Sequence, residues 1–432
     1  MFMGEYLKIV GGRPLFGRVR VPAAKNSVLP LMAAAMMCQG ETVLQQVPDL
    51  ADVRQSMAIY EALGGRCSWQ GSRLRLKFTA QQGEGVLPQG PARAMRSSVF
   101  YLAPALHRFG RVQTVQPGGC NLGPRPIDIH LEGLARMGAQ IEWQGETLVL
   151  TAPRGLRGTE FVLRLPSVGA TETLLMAAVL AKGETVLRGA AREPEVVDLA
   201  NYLTACGAWI QGAGSSVIRI RGTAQLEGCS YQPIPDRITA ATLAAGVASA
   251  GGHITLEGCP ADLLEPTLCI LQQAGCGVRR KEEGVQVERS GSLKGVGRLY
   301  TGVYPGFSTD AAPVVAAALL TAKGQSSIED TIFENRFACG EEFCKLGAKA
   351  WRDGRRLELV GVPALTGAPM QAADLRGGAA LVVAALAAQG ESRVFGLEHI
   401  RRGYKDLPGT LQALGANITL CTLPEQEEQD QL

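Results

Sequence analysis

A surplus of charge of either sign is missing from this 432-residue chain. It has 43 Lys and Arg against 40 Asp and Glu, a net charge of +3, and no long basic block, so it carries no footprint for nucleic acid. Aromatic residues are scarce at 5%, which leaves packing to small and aliphatic side chains. The longest apolar runs, such as Val28–Cys38 and Ala311–Ala322, extend about a dozen residues, short of the ~20 that span a bilayer. The opening MFMGEYLKIVGGR is too polar for a signal peptide. No CxxC occurs among the 11 cysteines, and His107, His130, His253 and His399 do not cluster with cysteine at zinc spacing. These gaps predict a cytoplasmic protein without membrane insertion, disulfide framework or metal. Most of its cysteines are then expected to serve as small buried hydrophobes. Hydrophobic residues make up 46% and charged residues 19%, enough for large cores, and the length implies two or three domains.

What the chain has is repetition. A glycine followed by a strand-like run recurs at Gly40, Gly110, Gly183, Gly252, Gly324 and Gly390, at intervals of 66–73 residues. A second marker follows each: Leu63-Gly64, Met137-Gly138, Cys206-Gly207, Ala274-Gly275, Leu346-Gly347 and Leu414-Gly415. It reads as the end of an amphipathic helix closed by a left-handed glycine. Before each first marker lies a helix apolar on every side, expected at Lys25–Cys38, Met95–Leu106, Thr171–Ala181, Ile238–Ala250, Asp310–Ala322 and Leu375–Ala388. Such helices belong inside a domain, so sheets must surround them. The expected fold is α/β, two similar domains of three repeated units each, with buried helices and outer sheets. The Pro-rich Tyr231-Gln-Pro-Ile-Pro-Asp marks the boundary.

The polar residues of the buried helices gather at their N-terminal ends: Lys25 and Asn26, Arg96, Ser167 with Thr171 and Glu172, Asp236 and Arg237, Thr309 and Asp310, Asp374 and Arg376. Helix N-termini attract anions, and six of them facing one cleft would hold phosphates and carboxylates. Taken singly, Ser308, Thr309 and Asp374 read as plain N-caps. That reading does not suit Lys25, Arg96 and Arg376, because cations are disfavoured there.

The segment Gln116-Pro-Gly-Gly-Cys-Asn-Leu-Gly-Pro-Arg-Pro is unlike the rest. Its glycines allow close approach to a ligand, and Arg125 near Cys120 favours a thiolate. By itself a loop cysteine near an arginine is more often inert than catalytic. Phe333-Glu-Asn-Arg336-Phe and Ile400-Arg-Arg402-Gly-Tyr, each alone, read as surface turns.

Together these segments resemble the UDP-N-acetylglucosamine 1-carboxyvinyltransferase family of enolpyruvyl transferases. The likeness rests on Ala24-Lys-Asn-Ser-Val-Leu-Pro30, Met95-Arg-Ser, Pro117 to His130, Ser167-Val-Gly-Ala-Thr, Ala191-Arg-Glu-Pro-Glu-Val-Val-Asp198, Pro235-Asp-Arg-Ile, Phe307-Ser-Thr-Asp310, Phe333 to Phe337, Ala373-Asp-Leu-Arg376 and His399 to Tyr404. It implies an inside-out α/β barrel in each half. Residues 1–24 with 233–432 form one domain; residues 25–232, with the cysteine loop 114–126, form the other, and the active site lies between the halves. It implies phosphoenolpyruvate and UDP-N-acetylglucosamine as small-molecule substrates, with no cofactor and no metal.

The resemblance also implies roles. Cys120 is the general acid and can form an adduct with phosphoenolpyruvate, and it is the thiol that fosfomycin alkylates in the family. Asp310 takes the proton of the sugar 3-hydroxyl. Lys25, Arg125, Arg402 and Arg96 meet the phosphate and carboxylate, Lys25 and Arg402 with catalytic effect. The nucleotide sugar is held by Arg125, Pro126, Ile127, Asp128 and Ile129, by Leu165, Pro166, Ser167 and Val168, and by Asp310 and Ile332, with Asn26 at the same site. Asp374 and Arg376 line the cleft, and Arg336 helps hold a closed form.

The chain departs from the family pattern at Thr239, Ala241, Ser308, Ala312, Ala338, Cys339 and, most of all, Arg401, a cation where the family has an aspartate. Two other readings compete. The sister synthesis of 5-enolpyruvylshikimate 3-phosphate has no use for the loop thiol. A non-catalytic or altered-acceptor paralog leaves Lys25, Cys120, Asp310 and Arg402 unexplained.

Overall fold

The computed structural model describes residues 4–80, 83–118 and 126–422. The chain divides into two compact units, one of residues 4–21 and 235–422, the other of residues 22–118 and 126–234. Each has its own apolar core.

The repeat is visible in six sheets of one design. A glycine with positive φ (Gly40, Gly110, Gly183, Gly252, Gly324, Gly390) turns the chain from a buried helix or its trailing residues into the repeat's first strand. An amphipathic helix follows and ends at the second glycine, φ between 80° and 110° at Gly64, Gly138, Gly207, Gly275, Gly347 and Gly415. That conformation penalises any residue with a Cβ. The chain then returns as antiparallel strands, and a segment from elsewhere adds a parallel edge. Glu184–Arg188, for example, pairs antiparallel with Val217–Arg221 and parallel with Glu160–Val162.

Each unit is closed by chain from a distance. In the first-named unit Glu5–Val10 lies between Glu391–Phe395 and Asn417–Thr422, and Leu15–Arg20 is the parallel edge beside Gly252–Glu257. In the other, Ser230–Tyr231 returns as the parallel edge of Glu41–Leu44. Strands such as Arg73–Phe78 alternate exposed and buried residues, the mark of sheets with one face on a core.

Inside, the buried helices are Lys25–Ala35, Leu102–Phe109 and Val168–Ala178 in one unit, and Arg237–Ala250, Ala312–Leu319 and Leu375–Ala387 in the other. The latter three pack mutually. Close packing there needs small residues: a Cβ on Gly378 would stand 2.8 Å from Ile400 Cγ1. Of the helix bounds that shift, two bear on the site. The second buried helix opens as a 3₁₀ turn, Arg96–Tyr101, before Leu102–Phe109. The fifth begins at Ala312, with Pro313 in its first turn, so Asp310 lies ahead of it.

Candidate active site

In the unit that holds residues 235–422, Asp310 is the meeting point of two buried guanidiniums. Arg336 Nη2 donates to Asp310 Oδ1 at 3.0 Å. Arg376 donates to Oδ2 from Nη2 at 3.0 Å and from Nε at 3.2 Å. Both arginines are buried, whereas the Asp310 side chain keeps a quarter of its surface exposed. Burial works to lower the Arg376 guanidinium, but the Asp310 carboxylate and then the Tyr404 oxygen outweigh it and hold it above its ordinary value. Arg376 Nη1 also reaches Tyr404 Oη at 3.5 Å, and that hydroxyl lies 2.8 Å from Thr242 Oγ1.

Arg336 is therefore not in a surface turn: its side chain is 2% exposed and stacks 4.7 Å from the Phe333 ring. The strand Gln325–Glu329 delivers the fully buried Asp330 beside it. Asp330 Oδ1 accepts from Ile332 N at 2.8 Å and Phe333 N at 2.7 Å, and its other oxygen accepts from Thr309 Oγ1. That turn presents Ile332, 40% exposed.

The capping readings separate. Asp374 caps the sixth buried helix, accepting from Arg376 N at 2.9 Å and Gly377 N at 3.0 Å. Ser308 and Thr309 are not helix caps: Ser308 Oγ accepts from Asp310 N, and Thr309 accepts from Arg336 Nε at 2.9 Å. Arg402, half-buried, closes the short helix Leu397–Arg401 rather than a plain turn. Arg401 Nη1 pairs with Glu5 Oε2 on the first strand at 2.7 Å.

In the other unit Lys25 opens the first buried helix, whose N-cap Ala24 offers no side-chain cap. Its Nζ lies 3.0 Å from Asp52 Oδ2, and both groups are buried. Asn26 beside it is exposed. Ser27 Oγ donates to the Asp198 carboxylate, which also accepts from Tyr231 Oη at 2.7 Å and Ile234 N at 3.2 Å. Asp198 thereby ties the first turn of this helix to the strand leaving the unit. Burial pushes its carboxyl above the ordinary range, against these hydrogen bonds.

Arg96 Nη2 donates to Pro126 O at 2.9 Å. After Pro126 the chain enters the helix Asp128–Arg136, with Ile127 and Ile129 buried and Asp128 exposed. The Asp128 carboxylate pairs with Arg164. That contact brings the stretch 126–129 beside Leu165, Pro166, Ser167 and Val168. Leu165 is half exposed, and Ser167 Oγ caps the third buried helix by accepting from Ala170 N at 3.3 Å. Below it Glu172 is fully buried; burial, then Glu195 and Glu193, push it well above the ordinary carboxylate range. Cys120 and Arg125 lie outside the described residues. Of the ten described cysteines five are buried and Cys344 is exposed, so the expectation of mostly buried thiols holds for only half.

Asp52, Asp198, Asp330, Arg164, Glu5 and Tyr404 carry this geometry without having been assigned a role from the sequence. Asp198 and Tyr404 stood inside quoted motifs. The others are single acidic or basic residues at strand or helix ends, with no local pattern to mark them.

The family model described as EPSP synthase (3-phosphoshikimate 1-carboxyvinyltransferase) matches residues 9–411. The enolpyruvyl transferase NikO from Streptomyces tendae superposes with a TM-score of 0.87 at 25% identity, over 98% of this chain and 100% of that one. An EPSP synthase from Acinetobacter baumannii shares the fold, with a TM-score of 0.74 at 18% identity over 97% and 100% of the chains. Among sequences, the UDP-N-acetylglucosamine 1-carboxyvinyltransferase of Finegoldia magna is 40% identical over 96% of this chain and 98% of its own. UDP-N-acetylglucosamine 1-carboxyvinyltransferase 1 of Symbiobacterium thermophilum is 42% identical over 96% and 95%. The chain belongs to the UDP-N-acetylglucosamine 1-carboxyvinyltransferase family of enolpyruvyl transferases.

Proposed function

We propose that this protein transfers the enolpyruvyl group of phosphoenolpyruvate to the 3-hydroxyl of UDP-N-acetylglucosamine, releasing phosphate, in the supply of peptidoglycan precursors. The observation that carries it is the full-length match at 40–42% identity to transferases of that name. These relatives favour the nucleotide sugar over shikimate 3-phosphate as acceptor. No helix among the described residues is long and apolar enough to cross a membrane, and the reading places the enzyme in the cytoplasm.

In this reaction the sugar oxygen attacks C2 while C3 takes up a proton, and phosphate then leaves. Asp310 accepts the hydroxyl proton; Arg336 and Arg376 fix its carboxylate from two sides, which orients the acceptor lone pairs. Cys120 supplies the proton to C3. Lys25, Arg96, Arg125 and Arg402 meet the phosphate and carboxylate of phosphoenolpyruvate. Lys25 arrives paired with Asp52, so the substrate competes with an internal carboxylate for it. Asn26, the stretches 126–129 and 165–168, and Ile332 hold the nucleotide sugar. Asp374 acts through the helix that carries Arg376.

The test is phosphate release from phosphoenolpyruvate, with and without UDP-N-acetylglucosamine, in the unmodified chain and in Cys120→Ala. Release that requires both the sugar and the thiol is the expected result. Release that ignores the sugar, or none at all with the sugar bound, overturns the reading.

A further inference from the structure

Three thiols meet on one side of the unit that holds residues 22–118 and 126–234. Cys38 lies in the short strand Cys38–Gln39, Cys206 closes the helix Pro194–Ala205, and Cys229 sits between Leu226–Glu227 and Ser230–Tyr231. Their backbones are tied as well: Leu226 is the parallel partner of Cys38, and Glu227 N donates to Cys206 O at 2.9 Å. The Cys206 and Cys229 sulfurs are 3.7 Å apart. Cys38 in turn lies 3.5 Å from Tyr202 Oη. Of the three, Cys229 alone is only partly buried. Other described cysteines with a hydrogen bond, Cys259, Cys269 and Cys344, use a carbonyl or a carboxylate.

We propose that Cys206 and Cys229 form a dithiol that hydroperoxides oxidise to a disulfide, a modification site separate from Cys120. The partly exposed Cys229 meets the oxidant first. Its sulfur attacks the peroxide oxygen, the O–O bond breaks, water leaves, and a sulfenic acid remains. The Cys206 sulfur then attacks that sulfur. The S–S bond forms, the S–O bond breaks, and the departing hydroxide takes the Cys206 proton as a second water. Two thiols and one hydrogen peroxide thus give one disulfide and two waters. A disulfide needs the sulfurs about 2 Å apart, so the present gap closes by side-chain rotation and a small backbone shift. Burial holds the Cys229 thiol above its ordinary value, which keeps its thiolate scarce and the oxidation slow. The link would pin Cys229 two residues ahead of Tyr231, whose hydroxyl Asp198 holds, and so fix the strand that leaves the unit.

The experiment treats the full-length protein with hydrogen peroxide, blocks remaining thiols by alkylation and maps the digest without reduction. It is run on the unmodified chain and on Cys120→Ala, which removes the loop thiol. The expected result is a peptide pair joined through Cys206 and Cys229, released by dithiothreitol, with the loss of two alkylatable thiols per chain. In Cys206→Ser the joined pair disappears and Cys229 is recovered as sulfinic acid. The proposal is overturned if the unmodified chain yields Cys229 sulfinic acid with no joined pair. It is equally overturned if both thiols remain alkylatable while the exposed Cys344 is oxidised. Both decisive readings come from the unmodified chain, so they stand even where a variant folds poorly.

Discussion

The two three-repeat units open their buried helices differently. In the unit of residues 235–422, two of the three helices begin under an aspartate: Asp236 accepts from Ile238 N and Thr239 N, and Asp374 from Arg376 N and Gly377 N. In the other unit the helix at Lys25 and the 3₁₀ turn at Arg96 have no side-chain cap, and the third has only the neutral Ser167. A carboxylate cap satisfies the free N–H groups and offsets the positive helix end; a neutral or absent cap leaves both for an external anion. One unit thus offsets two of its three helix ends with its own carboxylates, while the other has no carboxylate cap on any of its three.

The sharpest way to break this contrast is to remove the carboxylate that balances two arginines. Asp310→Asn leaves Arg336 and Arg376 buried without their shared counter-charge. It should lower stability by about 3 kcal/mol and slow phosphate release by about 10²–10⁴-fold. Denaturant unfolding and the phosphate assay read the two effects separately. Unchanged stability would mean that this unit's charges are not balanced internally.

Acid should test the other unit next. His130 is pushed down to about 4, by burial first and then by the Arg96 guanidinium. Below its ordinary value of 6.5 the unfolded chain takes up a proton that the folded one refuses until about pH 4. Stability is therefore full above pH 6.5 and falls as pH drops through this window, by up to about 3 kcal/mol. His130→Gln should flatten the fall in pH-dependent unfolding; an unchanged slope would assign the acid sensitivity elsewhere.

A smaller change can make one unit imitate the other. Ser167→Asp gives the third buried helix the kind of cap that Asp236 provides in the fourth. Helix stability should hold or rise slightly, while a fixed negative charge at that helix end should weaken UDP-N-acetylglucosamine binding about tenfold. Calorimetric titration checks it, and undiminished affinity would show that the neutral cap has no part in anion binding.

The architecture was legible because it is periodic. Twelve glycines at two fixed places in six repeats report backbone turns that only glycine makes cheaply, and the all-apolar helices could only be interior. The ionic partners were not legible, because an ion pair joins residues that sequence distance does not relate. Arg376 meets Asp310 across 66 positions and Arg401 meets Glu5 across 396. For the same reason Arg336 read as a surface turn: nothing near it in the chain shows that Thr309 and Asp310, 27 and 26 positions back, meet its guanidinium. Asp310 read as the first residue of its helix because the apolar run starts beside it, whereas the helix begins at Ala312 with Pro313 in its first turn.

The weakest expected effect concerns Arg401, where the family pattern has an aspartate. Seen in the sequence alone, Arg401→Asp should tighten phosphoenolpyruvate binding by giving Arg402 a carboxylate to orient it. The structure puts Glu5 there already, 2.7 Å from Arg401, so the single change would set two carboxylates together. The partly exposed pair contributes about 0.5–1 kcal/mol, and Arg401→Asp should lose that much stability without tighter substrate binding. Glu5→Gln with Arg401→Asp removes the repulsion but not the loss of the ion pair, and should recover only the part of the stability that repulsion costs. If Arg401→Asp alone tightens phosphoenolpyruvate binding, Glu5 is a surface partner only, and the self-balanced character of this unit does not extend from Asp310 to its first strand.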